Sequence, residues 1–351
     1  MKISILLFIF AFICNDFIYS QAQQKNLKAS QRGDLRIMFY NVENLFDTID
    51  NPKTMDEDFL PQGGYRWNGW KLWKKLGNTC KIVTAVGGWD APEIVGFCEV
   101  ECRSVLDMLV QKTNLKRFNY QVVHKESPDP RGIDVALMYR KDKIIPITYE
   151  AINVSFLNDS AKTTRDILYF MGKTLNGDTI NIFVNHWPSR RGGQMESEQF
   201  RVRVAEVVKE KVDQIFKLNS SANIILIGDF NDYPDNYSLI KTLEAKIHYD
   251  TIENSKLYNL SYYLHEKTGL GTHKHMTEWG ILDQIIVSGN LLNTKTSLRT
   301  SLDDAHIYKE EFLLMPDKTN LGYKPFRTYE GMKYLGGYSD HLPVYLDLYS
   351  K

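Results

Sequence analysis

Asn223-Ile224-Ile225-Leu226-Ile227-Gly228-Asp229-Phe230-Asn231-Asp232 runs from an unbroken apolar stretch into a polar turn. A strand without polar alternation has both faces covered, as in a sheet sandwiched between other layers. Gly228 lets the backbone turn tightly where the strand ends. The turn then presents Asp229 and Asn231 on one side, two residues apart. An Asp so placed orients or deprotonates a water, and an Asn amide holds the attacked group in line. Leu282 to Val287 reads as a second buried strand, with Asp283 early in it.

Outward from this strand, strand-like and helix-like segments alternate. Leu35 to Tyr40 is a short apolar strand ending at Asn41, and Glu93 to Cys98 is another, ending at Glu99. Trp70, Trp73, Leu76, Cys80, Val83 and Val86 recur at three- and four-residue steps and predict an amphipathic helix packed on a sheet, closed by Gly87-Gly88. A second helix is expected over Ser104 to Thr113 and a long one over Glu196 to Phe216. Strands are expected at 120–124, 133–139, 144–147, 167–171 and 179–184, with Asn176-Gly177-Asp178 as a hairpin turn between the last two. The polar, Pro- and Gly-bearing stretch 47–67 reads as a long loop. There is no repeat, low-complexity segment or linker, so the expectation is one α/β domain over 30–351, two sheets face to face with helices outside.

The 351 residues, 43% hydrophobic and 25% charged, are enough for a substantial core. Lys+Arg and Asp+Glu both number 43, so no global positive field draws in nucleic acid, although a local basic groove remains open. Residues 1–22 read as a secretory signal: Lys2, an apolar run Ile3 to Ile13 too short for an anchor, and small residues at Ser20 and Ala22. The expected destination is secreted or periplasmic, with no transmembrane anchor after signal removal. Lipidation at Cys14 is disfavoured by bulky Phe12 and Ile13 ahead of it. Beyond this segment lie Cys80, Cys98 and Cys102; a Cys98–Cys102 bridge and buried free thiols are both open.

Further polar residues stand at strand ends. Val184-Asn185-His186-Trp187-Pro188-Ser189-Arg190-Arg191-Gly192-Gly193 closes a strand with a His, two Arg and two Gly. Guanidinium groups bind phosphate oxygens bidentately, so Arg190 and Arg191 are candidate substrate contacts. Glu99 offers a hard oxygen ligand to a cation, but Glu101, two positions on, competes for that role by pattern alone. Asp283, buried in a strand, needs a partner, and His341 in Ser339-Asp340-His341 is the natural one.

Together these pieces resemble the endonuclease/exonuclease/phosphatase superfamily, in its secreted bacterial form. The matching segments are Phe39-Tyr40-Asn41-Val42-Glu43-Asn44, Val95-Gly96-Phe97-Cys98-Glu99, Asn185-His186, Gly228-Asp229-Phe230-Asn231, Leu282-Asp283 and Ser339-Asp340-His341-Leu342-Pro343, in the family's order. The resemblance implies a DNase I-like four-layer α/β sandwich, two mixed, mainly antiparallel sheets flanked by helices. It implies a hydrolase of phosphate esters that uses Mg²⁺, with Mn²⁺ or Ca²⁺ as alternatives. By the same resemblance Glu99 is preferred to Glu101 as the principal metal ligand, with Asn41 and Asp340 beside the ion. Asp229 then activates or aligns water, Asn231 holds the phosphate, His341 with Asp283 stabilises phosphoryl charge, and His186 is a phosphate contact or an acid near the leaving group. Arg165, in Arg165-Asp166, matches a position that puts a cation on the substrate phosphate. Arg131-Gly132-Ile133-Asp134 is a partial match, and no catalytic role is assigned to Asp134.

The expected substrate is a phosphate ester. A nuclease acting on DNA or RNA is the first reading, an inositol or lipid phosphatase or sphingomyelinase-like phosphodiesterase the second, an enzyme of small phosphate esters or sugar phosphates the third, and a non-catalytic binding module on the same fold the last. No stable protein partner is implied.

Overall fold

A computed structural model describes residues 32–156 and 162–351. The expected signal segment 1–22 lies outside the described residues. In chain order the long elements are β1 (Leu35–Leu45), α1 (Gly69–Gly87), β2 (Ile94–Val100), α2 (Arg103–Lys112), β3 (Tyr120–His124), β4 (Asp134–Arg140) and β5 (Ile144–Ile152). They continue as β6 (Ile167–Thr174), β7 (Thr179–His186), α3 (Gln194–Leu218), β8 (Asn223–Asp229), α4 (Leu260–Thr268), β9 (Asp283–Ser288) and β10 (Val344–Ser350).

The strands form two seven-stranded sheets. The first runs β3-β4-β2-β1-β10, completed by the short strands Leu298–Arg299 and Ala305–Ile307 on β10. The second runs β5-β6-β7-β8-β9 and then Leu257–Asn259 and Ala245–Lys246. Both are mixed: β1 is parallel to β2 and β7 to β8, while β9 and β10 run antiparallel to their neighbours. The sheets meet through Phe39 and Leu137 on one side and Val184, Ile225 and Ile227 on the other. They come close at Gly96, where a Cβ would sit 2.8 Å from Ile227 Cδ1 and 3.3 Å from Val184 Cγ1.

Helices cover the outer faces. Val204, Ala205, Val208 and Val212 of α3 pack with Phe183, Ile224 and Leu226. On the other side α1 packs against β1 and α2 against β3. The result is the four-layer sandwich expected from the sequence, and the uninterrupted run Ile224–Ile227 is buried on both faces as its pattern requires.

α1 begins where the Asn68 side chain accepts a hydrogen bond from Lys71 N (3.1 Å), and ends at Gly88 with φ 71°. Its buried stripe is Leu72, Leu76, Cys80, Val83 and Val86. Trp70 and Trp73 do not belong to it: they are 67% and 48% exposed. Three-residue steps fall short of a full turn, so Trp70 sits about 120° around the helix from Leu76. Of the two readings for the thiols, the structure has Cys80, Cys98 and Cys102 free.

The topology fixes where chemistry can gather. The C-terminal ends of β1, β2, β7 and β8 and the N-terminal ends of β9 and β10 share one edge of the sandwich. Cross-strand register pairs His186 with Asp229 and Asp229 with Asp283. Asn41 is paired with Cys98, the residue before Glu99.

Candidate active site

At this edge both central strands of the first sheet lose their regular pairing. The β1–β2 register shifts between Asn41 and Leu45, and the β2–β4 register between Cys98 and Val100. Glu43 (φ 51°), Asn44 (φ 59°) and Glu99 (φ 61°) adopt left-handed backbone there, and Asn231 (φ 50°) does so after β8. Such residues cost on the order of 1 kcal/mol or more each and persist where the surroundings hold them. The bulges re-aim side chains that a regular pleat would alternate.

That separates Glu99 from Glu101. Glu99 Oε2 accepts from Asn44 N (3.0 Å) and Oε1 from Asn41 Nδ2 (3.3 Å). Glu101 instead accepts from Asp47 N (2.5 Å) beside Cys102, and burial pushes its carboxyl up to about 8. The sequence pattern put both on one face; the irregular backbone does not.

Asp229 and His341 form the centre. His341 Nδ1 lies 2.7 Å from Asp283 Oδ2, and its Nε2 faces Asp229 Oδ2 at 3.8 Å. Burial alone would lower the His341 pKa, but Asp283 and Asp229 raise it well above the usual value, so the imidazole is cationic at neutral pH. Burial, opposed by His341 and reinforced by Asp283, pushes the Asp229 carboxyl up to about 7. Asp229 Oδ1 accepts from Asn231 N (3.0 Å), and Asn41 Nδ2 donates to Oδ2 (3.2 Å).

His186 completes the cluster. Its Nε2 is 3.8 Å from Asp229 Oδ2 and 4.0 Å from Glu99 Oε1, while Nδ1 is buried without a hydrogen-bond partner among the described residues. Burial, with Arg165 and Arg131 nearby, holds its pKa well below the usual value. His186 is therefore a neutral hydrogen-bonding group here, which does not suit it to act as an acid.

Asp340 lies on the opposite flank. Arg327 bridges it to Glu43, Nη2 to Asp340 Oδ2 at 2.9 Å and Nε to Glu43 Oε1 at 3.0 Å. Beneath them Lys75, buried in α1, donates to Thr328 Oγ1 (2.5 Å) and Tyr338 O (2.7 Å), 4.0 Å from Glu43 Oε2. Burial lowers Lys75 to about 8 against the pull of Glu43, Asp340 and Glu99. The His273 ring lies against His341, centroids 4.8 Å apart and tilted by 41°, and burial with its cationic neighbour lowers it to about 4.

Among the candidate metal ligands, Glu99 and Asp340 offer carboxylate oxygens of the kind hard divalent cations take. Asn41 is more constrained: Oδ1 already accepts from Glu43 N (2.9 Å), and its amino group faces the Glu99 and Asp229 carboxylates. One Oδ1 lone pair is left for an ion. Asp229 with His186 and Cys98, and Asp340 with His273 and His341, bring donor atoms close enough together to take a cation; Glu99 stands beside the first group, 4.0 Å from His186 Nε2, but within neither.

The arginines divide. Every nitrogen of Arg190 is engaged: Nε on Asn231 O (2.8 Å), Nη2 on Asp232 and Asn236, Nη1 on Gln194. It braces the Asn231 turn rather than reaching outward. Arg165 is buried against Asp129 (3.0 Å) and Trp187 O (2.6 Å), whereas Arg191 is exposed. Asn231 spends one amide hydrogen on Trp187 O (3.0 Å). Asp134 holds His124 (3.0 Å) and the 127 turn, away from this cluster.

Glu43, Lys75 and His273 were missed in the sequence. Only Glu43 left a signal: Asn41-Val42-Glu43 places two polar groups two residues apart at a strand end, as Asp229-Phe230-Asn231 does.

The Endonuclease/Exonuclease/phosphatase family matches residues 36–350. No curated protein matches the chain. Among solved structures, zebrafish TDP2 in complex with a single-strand DNA product superposes with TM-score 0.55 at 14% identity, covering 90% of this chain and 99% of that one. The human Nocturnin catalytic domain with bound sulfate gives 0.53 at 16%, covering 92% and 96%. A mannosyl-6-phosphatase from Bacteroides thetaiotaomicron gives 0.53 at 17%, covering 90% and 99%. At these identities the structures share the fold.

Proposed function

Since this chain belongs to the endonuclease/exonuclease/phosphatase family and is a phosphate-ester hydrolase, we propose that it is a Mg²⁺-dependent phosphodiesterase of nuclease type, exported from the cell. The observation that carries the reading is the alignment Asp283–His341–Asp229, a buried imidazolium held by one carboxylate and facing another.

Glu99 and Asp340, with Asn41, would hold the divalent ion, which supplies charge neutralisation for phosphate oxygens when bound. The remaining chemistry belongs to the chain. Asp229, oriented by Asn231 N and Asn41 Nδ2, aligns the attacking water and accepts its proton. His341 faces the same point and offsets negative charge growing on the phosphoryl oxygens. Neutral His186 donates a hydrogen bond without competing for the proton. Attack in line with the leaving group needs these groups fixed in advance, and the cross-strand pairs at His186, Asp229 and Asp283 supply that rigidity.

Nucleic acid is supported as substrate by exposed cations beside Trp187, Arg131 and Arg191 among them, despite a net charge of zero. The likeness to TDP2 captured with a DNA product agrees with it. Exposed Trp70 and Trp73 favour a second reading, a lipid phosphodiesterase that touches a membrane through α1.

A Mg²⁺-dependent screen separates these. Plasmid DNA, RNA, sphingomyelin, phosphoinositides and a chromogenic phosphodiester are compared, with Asp229→Ala as blank. Cleavage of the nucleic acids supports the nuclease; release of phosphorylcholine or inorganic phosphate with intact plasmid supports the lipid reading and sinks the first.

A further inference from the structure

We propose that a recess beside the Asp229 cluster binds a second phosphate group of the substrate, so that the preferred substrate carries at least two phosphates. The inference rests on the phosphodiesterase reading and extends it to substrate class.

The recess has a volume of about 260 Å³ and is lined by Arg131, Lys162, Thr164, Arg165, Ser189 and Arg191 among others, with no carboxylate in its wall. Asp129 is shared by two of these cations, at 3.0 Å from Arg165 Nη1 and 3.5 Å from Arg131 Nε. Lys162 Nζ lies over the Phe200 ring at 3.1 Å, and Arg191 is exposed and pairs with no carboxylate among the described residues. Among the described residues, four cations line the recess, against Asp129 paired with two of them and Glu196 at the start of α3, so the recess is positive.

Among the described residues, two buried polar groups on residues that line it have no hydrogen-bond partner. Arg165 Nε is one, on a side chain only 7% exposed, and Thr164 Oγ1 is the other. Orphaned donors of this kind cost free energy unless a ligand satisfies them. A phosphate oxygen accepts from both a guanidinium and a hydroxyl. The recess also reaches the first turn of α3 at Ser197, where the Glu196 carboxylate lies over Gly193 at the start of that helix.

The recess adjoins the catalytic cluster through one carbonyl. Trp187 O accepts from Arg165 Nη2 at 2.6 Å and from Asn231 Nδ2 at 3.0 Å. A substrate phosphate at Asp229 and Asn231 thus has this recess as its neighbour. The second phosphate comes either from the next link of a polynucleotide or from a small molecule phosphorylated twice.

The test measures binding in EDTA, where no turnover occurs, by anisotropy of a labelled single-stranded oligonucleotide over a salt series. A sugar bisphosphate and inorganic phosphate serve as competitors. Lys162→Ala and Arg131→Ala, both at partly exposed positions, are expected to weaken the oligonucleotide roughly tenfold each and to lower the log–log salt slope by about 0.7 per cation. Weakened bisphosphate competition with unchanged oligonucleotide affinity assigns the recess to the small molecule. Unchanged affinity for both ligands overturns the proposal. Hydrolysis of bis(p-nitrophenyl) phosphate, which has one phosphate, is assayed separately with Mg²⁺. Wild-type protein that binds through the recess yet leaves this ester intact counts against the phosphodiesterase reading and leaves the recess standing.

Discussion

His341 Nδ1 lies 2.7 Å from Asp283 Oδ2, and both side chains are buried. Asp283 is placed by the β8–β9 register opposite Asp229, while His341 enters from the segment before β10. One carboxylate therefore both orients the ring and keeps it charged. Replacing Asp283 with Asn preserves shape and removes the charge. Turnover at neutral pH should fall on the order of a hundredfold, the usual loss of one preorganised electrostatic contact. The His341 imidazole, followed by NMR, should titrate at a lower pH than in the wild type. An unchanged His341 titration would remove Asp283 from this role.

Glu99 sits on a left-handed backbone position at a bulge, fixed by Asn41 and Asn44. Glu99→Ala should reduce Mg²⁺-dependent hydrolysis about a hundredfold or more. It should also diminish the rise in Tm that Mg²⁺ gives the wild type, because the principal ligand is gone. Undiminished turnover in purified Glu99→Ala protein refutes the assignment.

Lys75 lies beneath Glu43 and Asp340, fully enclosed. Lys75→Met keeps the volume but leaves the Glu43 carboxylate with Arg327 as its one cation. Breaking a buried pair in this way costs about 3–5 kcal/mol. Urea unfolding should show that loss. A change within about 0.5 kcal/mol, the range of a surface substitution, would show that Lys75 does not compensate Glu43.

The raised carboxyl groups set a pH dependence. Asp229 moves from 3.8 to about 7 and Glu101 from 4.5 to about 8, both chiefly by burial. A group whose folded pKa is raised binds its proton more tightly in the native state. Its contribution is complete below the unfolded value and is lost as pH rises through the folded one. The lowered His186 and His273 act in the opposite sense below about pH 6.5, so the loss from these two carboxyl groups should show in the metal-free protein between about pH 6.5 and about pH 8. A divalent ion binds ionised carboxylates, so the Tm increment from Mg²⁺ should be larger at the upper end of that window. Thermal unfolding in EDTA and in Mg²⁺ across these pH values checks the sign.

Sequence pattern carried the sandwich well, because Ile224–Ile227 and the helix stripes of α2 and α3 each admit one arrangement. It carried the cluster too, since Asn41, Glu99, His186 and Asp229 each end a strand, and strand ends of a two-sheet sandwich share an edge. What it missed depends on backbone irregularity or on distant partners. The choice between Glu99 and Glu101 turned on a bulge that no residue pattern announces. Arg190 looked like a substrate contact because its partners, Asn231 O and Asn236, come from another loop. Trp70 and Trp73 looked like core because a helix start has too few turns to separate two stripes. Lys75 was hidden for the opposite reason: a lysine reads as solvent-facing, and its anions lie in segments remote in sequence.

The central claim is that Asp229, facing His341 beside a divalent ion, carries out phosphate-ester hydrolysis. The most direct measurement is the steady-state rate on bis(p-nitrophenyl) phosphate with Mg²⁺ for wild type and for Asp229→Asn, with folding of both verified by circular dichroism. The account predicts Mg²⁺-dependent, EDTA-sensitive turnover in the wild type and a drop on the order of a hundredfold or more in the variant. Equal rates for the two proteins would contradict it.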